Sequence, residues 1–288
     1  MVDRIRGGYG GQRRSKTTIK GRAGARSCIE SQSWYGHIIA QTTTKGRAGA
    51  RSCRAALDWT AKAMEHRSVA LDGPAGAGKS TLARTAAKRL GFIYVDTGAL
   101  YRCVGLYALR NGVGSRDEAA VTGLLPEIKL EMVYDVGGSQ RMLLCGEDVT
   151  DAIRTPEAST YSSDVSAMPA VRGFLLSMQR EMALKYDVIM DGRDIGTVVL
   201  PDAGLKVFLT AKPEARAYRR YLELLDKGTA TTLDEVSRDM ESRDRNDSER
   251  AAAPLKIADG AVILDTSEMG LDESLDALCG IIAGRYGL

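Results

Sequence analysis

Histidine is nearly missing from this chain of 288 residues: there are two, His37 and His66. Both precede the segment that carries the motifs, so neither a histidine general base nor a histidine-rich zinc site suits the body of the protein. Five cysteines, Cys28, Cys53, Cys103, Cys145 and Cys279, are odd in number and form no C-x-x-C pair. They are expected as small buried residues of a reducing cytoplasm rather than a disulfide framework. No apolar run approaches the roughly 18 residues of a membrane span. No N-K-x-D string occurs, which argues against a GTPase switch.

Charge is unevenly spread. Residues 1–66 hold 13 Lys and Arg against 4 Asp and Glu, leaving 27 against 33 for the rest, so a segment of about +9 precedes a body of about −6. That body is not a general nucleic-acid binder, and its arginines call for local explanations. Within the basic segment TTIKGRAGARSC (Thr17–Cys28) recurs as TTTKGRAGARSC (Thr42–Cys53). Two polar copies cannot build a solenoid or bury a core. A transit peptide and a nucleic-acid tail share this composition, and Met64 stands where a compact domain would begin. We take residues 1–63 as a disordered extension without a function of its own and residues 64–288 as one domain.

What is present is organised around SVALDGPAGAGKST (Ser68–Thr81). It contains G-x-x-x-x-G-K-[ST], preceded by a short apolar strand and followed by a helical stretch, the context this phosphate-binding loop requires. Gly73, Pro74, Ala75, Gly76, Ala77 and Gly78 form the loop, and its backbone N–H groups and helix end cradle phosphates. Lys79 reaches the β- and γ-phosphates, Ser80 is a Mg²⁺ ligand and Thr81 completes the loop.

Downstream, short apolar strands near residues 69, 93, 188, 206 and 262 alternate with helices. The pattern predicts an α/β fold: a five-stranded parallel sheet with helices on both faces and ligands beyond the carboxyl strand ends. Leu130, Met132, Tyr134 and Val136 alternate with polar or exposed positions, and Gly137-Gly138 turns the chain toward Arg141–Leu144, an inserted antiparallel hairpin within an acceptor-binding region of about 97–185. Charged helices at Glu214–Lys227 and Leu233–Asp244 suggest a helical lid over about 212–250. Asp72, Asp96, Asp191 and Asp265 each end a strand. Asp191 looks like the acid that orients Mg²⁺, with helix N-capping as the alternative for each and the expectation for Asp265. Arg102, Arg172, Arg193, Arg243 and Arg250 stand in polar strings beside glycines or acids, as phosphate clamps do.

GPAGAGKST, DTGALYR (Asp96–Arg102), GEDVTDAIR (Gly146–Arg154), DGRDIGTVVLPDA (Asp191–Ala203) and RDRNDSERAAAPL (Arg243–Leu255) together resemble bacterial-type cytidylate kinases. The last two strings are far more specific than the phosphate loop, and the resemblance runs from about Met64 to the C-terminus. It implies an ATP- and Mg²⁺-dependent kinase of CMP or dCMP in pyrimidine metabolism, cytoplasmic and monomeric. It also implies that the insert binds the monophosphate. Thr97 then falls in the acceptor site, Arg102, Arg193 and Arg250 where the acceptor's phosphate is gripped, Ser163, Arg172 and Asp194 where cytosine is bound, and Tyr101, Arg243 and Asp247 at the ribose. TYSSDVSAM matches loosely, so Ser162 or Ser166 could replace Ser163. Lys79, Asp191, Arg193 and Arg250 are the catalytic set. The rivals are a kinase of another small acceptor such as UMP or shikimate, a non-catalytic nucleotide-binding protein, and a nucleic-acid binder acting through residues 1–63.

Overall fold

The computed structural model describes residues 66–288. The duplicated basic segment, Cys28, Cys53, both tryptophans and the expectations attached to residues 1–63 lie outside the described residues.

Apolar runs form the central sheet. Strand β1 (Ser68–Asp72) is buried throughout, followed by helix α1 (Lys79–Leu90), β2 (Ile93–Asp96) and α2 (Thr97–Arg110). Short α3 (Glu118–Leu124) leads into β3 (Leu130–Tyr134), β4 (Gln140–Leu144) and β5 (Glu147–Asp148). Helices α4 (Pro156–Val165) and α5 (Pro169–Lys185) return the chain to β6 (Val188–Gly192) and β7 (Leu205–Thr210). The paired helices α6 (Pro213–Asp226) and α7 (Leu233–Glu249) precede β8 (Val262–Asp265) and α8 (Leu271–Tyr286).

The five-stranded sheet has the order β2-β6-β1-β7-β8, and all its pairings are parallel. Strand alternation splits its side chains between two cores. Ala70, Val95, Val188 and Met190 pack toward α2 and α5, and Val69, Leu71, Ile189 and Val207 toward α1 and α8. Both faces are covered over the central strands β1 and β6, which need no polar alternation, whereas β7 alternates buried and part-buried positions and the edge strand β8 leaves Val262 and Ile263 exposed.

The inserted hairpin exists, as β3 paired with β4, and β5 adds a third antiparallel strand that the sequence pattern missed. Its turn is held by Asp135, whose carboxylate accepts from the N–H groups of Gly137 and Ser139 at 2.9 Å. Val136 departs from expectation: the strand ends at Tyr134 and Val136 is 97 % exposed at the turn. Helix α7 is longer than expected and absorbs the arginine string up to Glu249. Its start carries a reciprocal cap between Thr232 and Glu235.

Two further expectations are corrected. Asp265 does not cap a helix: it accepts from Ser267 N at 2.8 Å and Ser267 Oγ at 2.5 Å, a local Asx turn, and α8 begins later, after Gly270. Cys103 and Cys279 are buried as expected, but Cys145 is exposed, in a positive-φ turn after β4. Burial pushes the Cys103 thiol up to about 12, which makes it inert. No described helix is long and apolar enough to cross a membrane.

Candidate active site

Asp72 and Asp96 end β1 and β2, and Asp191 is the penultimate residue of β6; the three strands are neighbours in the parallel sheet, so all three carboxylates gather at one edge. A cleft of about 870 Å³ opens there.

The phosphate loop forms its floor. Helix α1 starts at Lys79 with no side-chain cap and no acid in its first turn, so its N–H groups are left for an anion. Gly73 has φ 152°, and a Cβ there would sit 1.9 Å from the Leu209 carbonyl oxygen. Gly76, at φ 70°, would drive a Cβ to 2.5 Å from Met240 Cε. These two glycines let the loop lie against β7 on one side and α7 on the other. Ala75 to Thr81 line the cleft, whereas Gly73 and Pro74 do not. Gly73 is spent on packing, and the Pro74 carbonyl accepts from Lys79 Nζ at 2.7 Å. Burial, with the Arg193 cation nearby, depresses the Lys79 ammonium below its usual range.

Ser80 Oγ donates to Asp191 Oδ2 at 2.7 Å, and Tyr94 hydroxyl approaches Oδ1 at 3.4 Å. Burial and the adjacent Asp96 charge push the Asp191 carboxyl up to about 6. Thr97 donates to the Asp191 carbonyl at 2.7 Å and thereby ties the start of α2 to β6.

The opposite end is lined with cations. Asp96 caps α2 through Ala99 N at 3.0 Å and also holds Arg154 at 2.9 Å and Arg102 at 3.7 Å. Its carboxyl is lowered: those guanidiniums outweigh a large burial effect. Arg102 Nη1 is buried without a hydrogen-bond partner, a donor that an anion would satisfy. Arg193 Nε donates to Asp247 Oδ2 at 2.7 Å. Arg250, at the end of α7, reaches Asp194 at 3.3 Å and Ser166 Oγ at 3.4 Å.

Asp194 is the hub of this end. It is 4 % exposed and holds Arg172 and Arg250 together, the former through a short ion pair. Burial raises its carboxyl even against both arginines. Arg172 also donates to the Ser166 carbonyl at 3.2 Å and stacks 5.7 Å above the Tyr101 ring. Ser163 lines the cleft, but the serine hydroxyl in the network is that of Ser166, which donates to the Ser163 carbonyl at 2.9 Å. Arg243 lines the cleft and pairs with Asp239 at 3.8 Å.

Thr97, Tyr101, Arg102, Asp191, Arg193, Asp194, Asp247 and Arg250 line the cleft as well, whereas Arg172 does not and stands behind Asp194 and Tyr101. Three residues that structure the cleft were missed. Arg154 fixes Asp96. Arg216 joins the Ala75 carbonyl at 2.9 Å to Asp244 at 2.7 Å, bolting α6 and α7 to the phosphate loop. Arg219 donates to the Thr266 and Met269 carbonyls, and all three residues line the cleft. The spacing of Arg216, Arg219 and Arg220 at i, i+3 and i+4 on one helix face was the available signal.

The family model described as cytidylate kinase matches residues 69–283. A protein named cytidylate kinase from Geobacter sulfurreducens is 48 % identical over 217 residues, 75 % of this chain and 93 % of that one. Cytidylate kinases from Syntrophotalea carbinolica and Pelotomaculum thermopropionicum are 46 % and 47 % identical, covering 92 % and 97 % of their own lengths. A solved shikimate kinase from Bacteroides thetaiotaomicron aligns over 77 % of this chain at 14 % identity and a TM-score of 0.39, a likeness silent about the acceptor. The match over most of the described fold, with relatives spanned almost end to end, makes this chain a member of the cytidylate kinase family.

Proposed function

We propose that the chain transfers the γ-phosphate of ATP to CMP or dCMP, giving ADP and CDP or dCDP. One observation carries the reading: the uncapped α1 terminus with Lys79 shares a cleft with a buried carboxylate, Asp194, held between Arg172 and Arg250.

Phosphoryl transfer needs positioning and charge neutralisation more than a strong base. A monophosphate oxygen is already nucleophilic at neutral pH, so the scarcity of histidine is no obstacle. The α1 N–H groups and Lys79 hold the donor phosphates. Arg102, Arg193 and Arg250 hold the acceptor phosphate and neutralise charge as it moves toward the ADP leaving group. Thr97 and Tyr101 line the acceptor side, with Asp247 and Arg243 at the ribose. Cytosine offers an exocyclic amino donor that the Asp194 carboxylate accepts, and Arg172 donates to its carbonyl.

Ser80 and Asp191 supply hard oxygen ligands of the kind Mg²⁺ prefers. Among the described residues no cluster of three His, Cys, Asp or Glu could hold a metal, which suits an ion completed by phosphate and water oxygens. A Mg²⁺ ion held by Ser80 and Asp191 would supply neutralisation of phosphate charge during transfer.

A coupled ADP-release assay with CMP, dCMP, UMP, AMP and shikimate tests the proposal. CMP and dCMP should give the highest kcat/KM. Preference for another acceptor would overturn it.

A further inference from the structure

The turn Ile195–Val199 follows Arg193 and Asp194 directly, and it is a single π-helical turn. Leu200 N donates to Ile195 O at 2.7 Å, and Val199 N to Asp194 O at 3.2 Å. One such turn has almost no stability of its own. Its two ends are held from opposite sides of the fold.

At the start, Asp72 Oδ1 accepts from Ile195 N and Oδ2 from Gly196 N, each at 2.7 Å. Asp72 is 3 % exposed and is the last residue of β1, immediately before the phosphate loop. At the finish, Arg180 donates from Nε to the Val199 carbonyl and from Nη2 to the Val198 carbonyl, both at 3.0 Å. A carboxylate at the N–H end and a guanidinium at the C=O end both oppose the dipole of the turn. Neighbouring contacts leave little slack. A Cβ on Gly196 would lie 3.1 Å from Ala258 Cβ, and one on Gly192 2.6 Å from Ile195 Cδ1.

Arg180 and Arg172 both stand on α5, eight residues apart, or about 12 Å at the helical rise. That one helix therefore meets Asp194 through Arg172 at the start of the turn and the last carbonyls through Arg180 at its end. Arg180 does not line the cleft.

We propose that Asp72 and Arg180 are positioning residues for the acceptor: they clamp the two ends of the Ile195–Val199 turn and so set where Arg193 and Asp194 point. Asp72 registers that pair against the phosphate loop, and Arg180 registers it against α5. The inference rests on the acceptor assignment above.

The experiment measures KM for CMP, KM for ATP and the ratio of kcat/KM for CMP over UMP. It compares wild type, Arg180→Met, Arg180→Lys and Asp72→Asn, with Ile282→Val as a core variant remote from the turn. Arg180→Met should raise KM for CMP about tenfold and narrow the CMP/UMP ratio severalfold, because a small displacement of a recognition group has effects of that size. KM for ATP should stay within about twofold, because the phosphate loop is untouched. Arg180→Lys, which can serve one carbonyl, should lie between, and it decides the matter if the methionine variant does not fold. Asp72→Asn presents an amide N–H to a backbone N–H and should reproduce the CMP effect. Ile282→Val should lower Tm and leave all three kinetic quantities unchanged.

An unchanged CMP/UMP ratio in the folded Arg180 variants, or a parallel rise of both KM values, would overturn the clamp. A wild-type enzyme without preference for CMP over UMP would instead refute the acceptor assignment, and the clamp with it.

Discussion

Asp247, near the end of α7, accepts from Arg193 Nε at 2.7 Å across 54 residues of sequence. This bond joins the α6–α7 pair to the residue that follows β6, while Arg216 joins the same pair to the Ala75 carbonyl. Both ligand ends of the cleft thus have a mechanical link to α6 and α7. We expect residues 212–250 to act as a lid whose hydrogen exchange slows when CMP and a non-hydrolysable ATP analogue are bound together, sealing the phosphates from water. Exchange that is the same in free and doubly liganded protein would count against this.

Asp194 pairs with Arg172 and Arg250, so Asp194→Ala will lower activity whether the carboxylate touches the base or only orders the arginines. Selectivity separates the two roles. An unpaired buried polar group costs about 1–3 kcal/mol, so a base-contacting Asp194 implies a CMP/UMP ratio that narrows by roughly tenfold or more on truncation. Equal losses for both acceptors would leave Asp194 a purely structural residue.

Asp191 has its carboxyl pushed up to about 6 from an unfolded value of 3.8. The folded state therefore binds its proton more tightly than the unfolded state. The stability this confers is fully present below about pH 4 and is lost as pH rises through 6. Asp191→Asn should raise Tm by a few degrees at pH 8 and by less at pH 5, since about 1 kcal/mol moves a domain of this size by roughly 2–4 °C. The same variant should lose most of its activity. A Tm gain independent of pH would show that the carboxylate is not the source of the strain.

Lys79 is 5 % exposed, and its ammonium is the only side-chain cation in the loop Gly73–Thr81. Lys79→Met conserves much of the apolar stem and should fold. We expect kcat to fall by about a hundredfold or more, the usual loss when one transition-state donor is removed. Near-normal kcat in a folded variant would sink the phosphate-loop assignment.

A protein beginning at Met64 retains both hydrophobic clusters around the main sheet. It should fold and match the full chain in kcat/KM. Trp34 and Trp59 are both removed, so circular dichroism or tyrosine emission must follow its unfolding. An insoluble or inactive product would show that residues 1–63 are integral.

Local chemistry made much of this protein legible in its residues. The phosphate loop could be read because a glycine spacing, a lysine and a hydroxyl act within a few residues of one another. The parallel sheet could be read because its central strands, buried on both faces, are apolar up to their acids, and the strand-end acids because parallel strands share an edge. Tertiary structure decided the pairing of charges. Asp194 could have bonded Arg172, Arg193 or Arg250, and the fold brings it the first and the last while Arg193 turns to Asp247. Ser166 rather than Ser163 offers its hydroxyl because α4 ends there and turns it toward Arg250. Asp72 is tied to a turn 123 residues away. Periodicity reports which face of an element is buried and says nothing of which polar groups meet across elements, since that depends on how the elements pack.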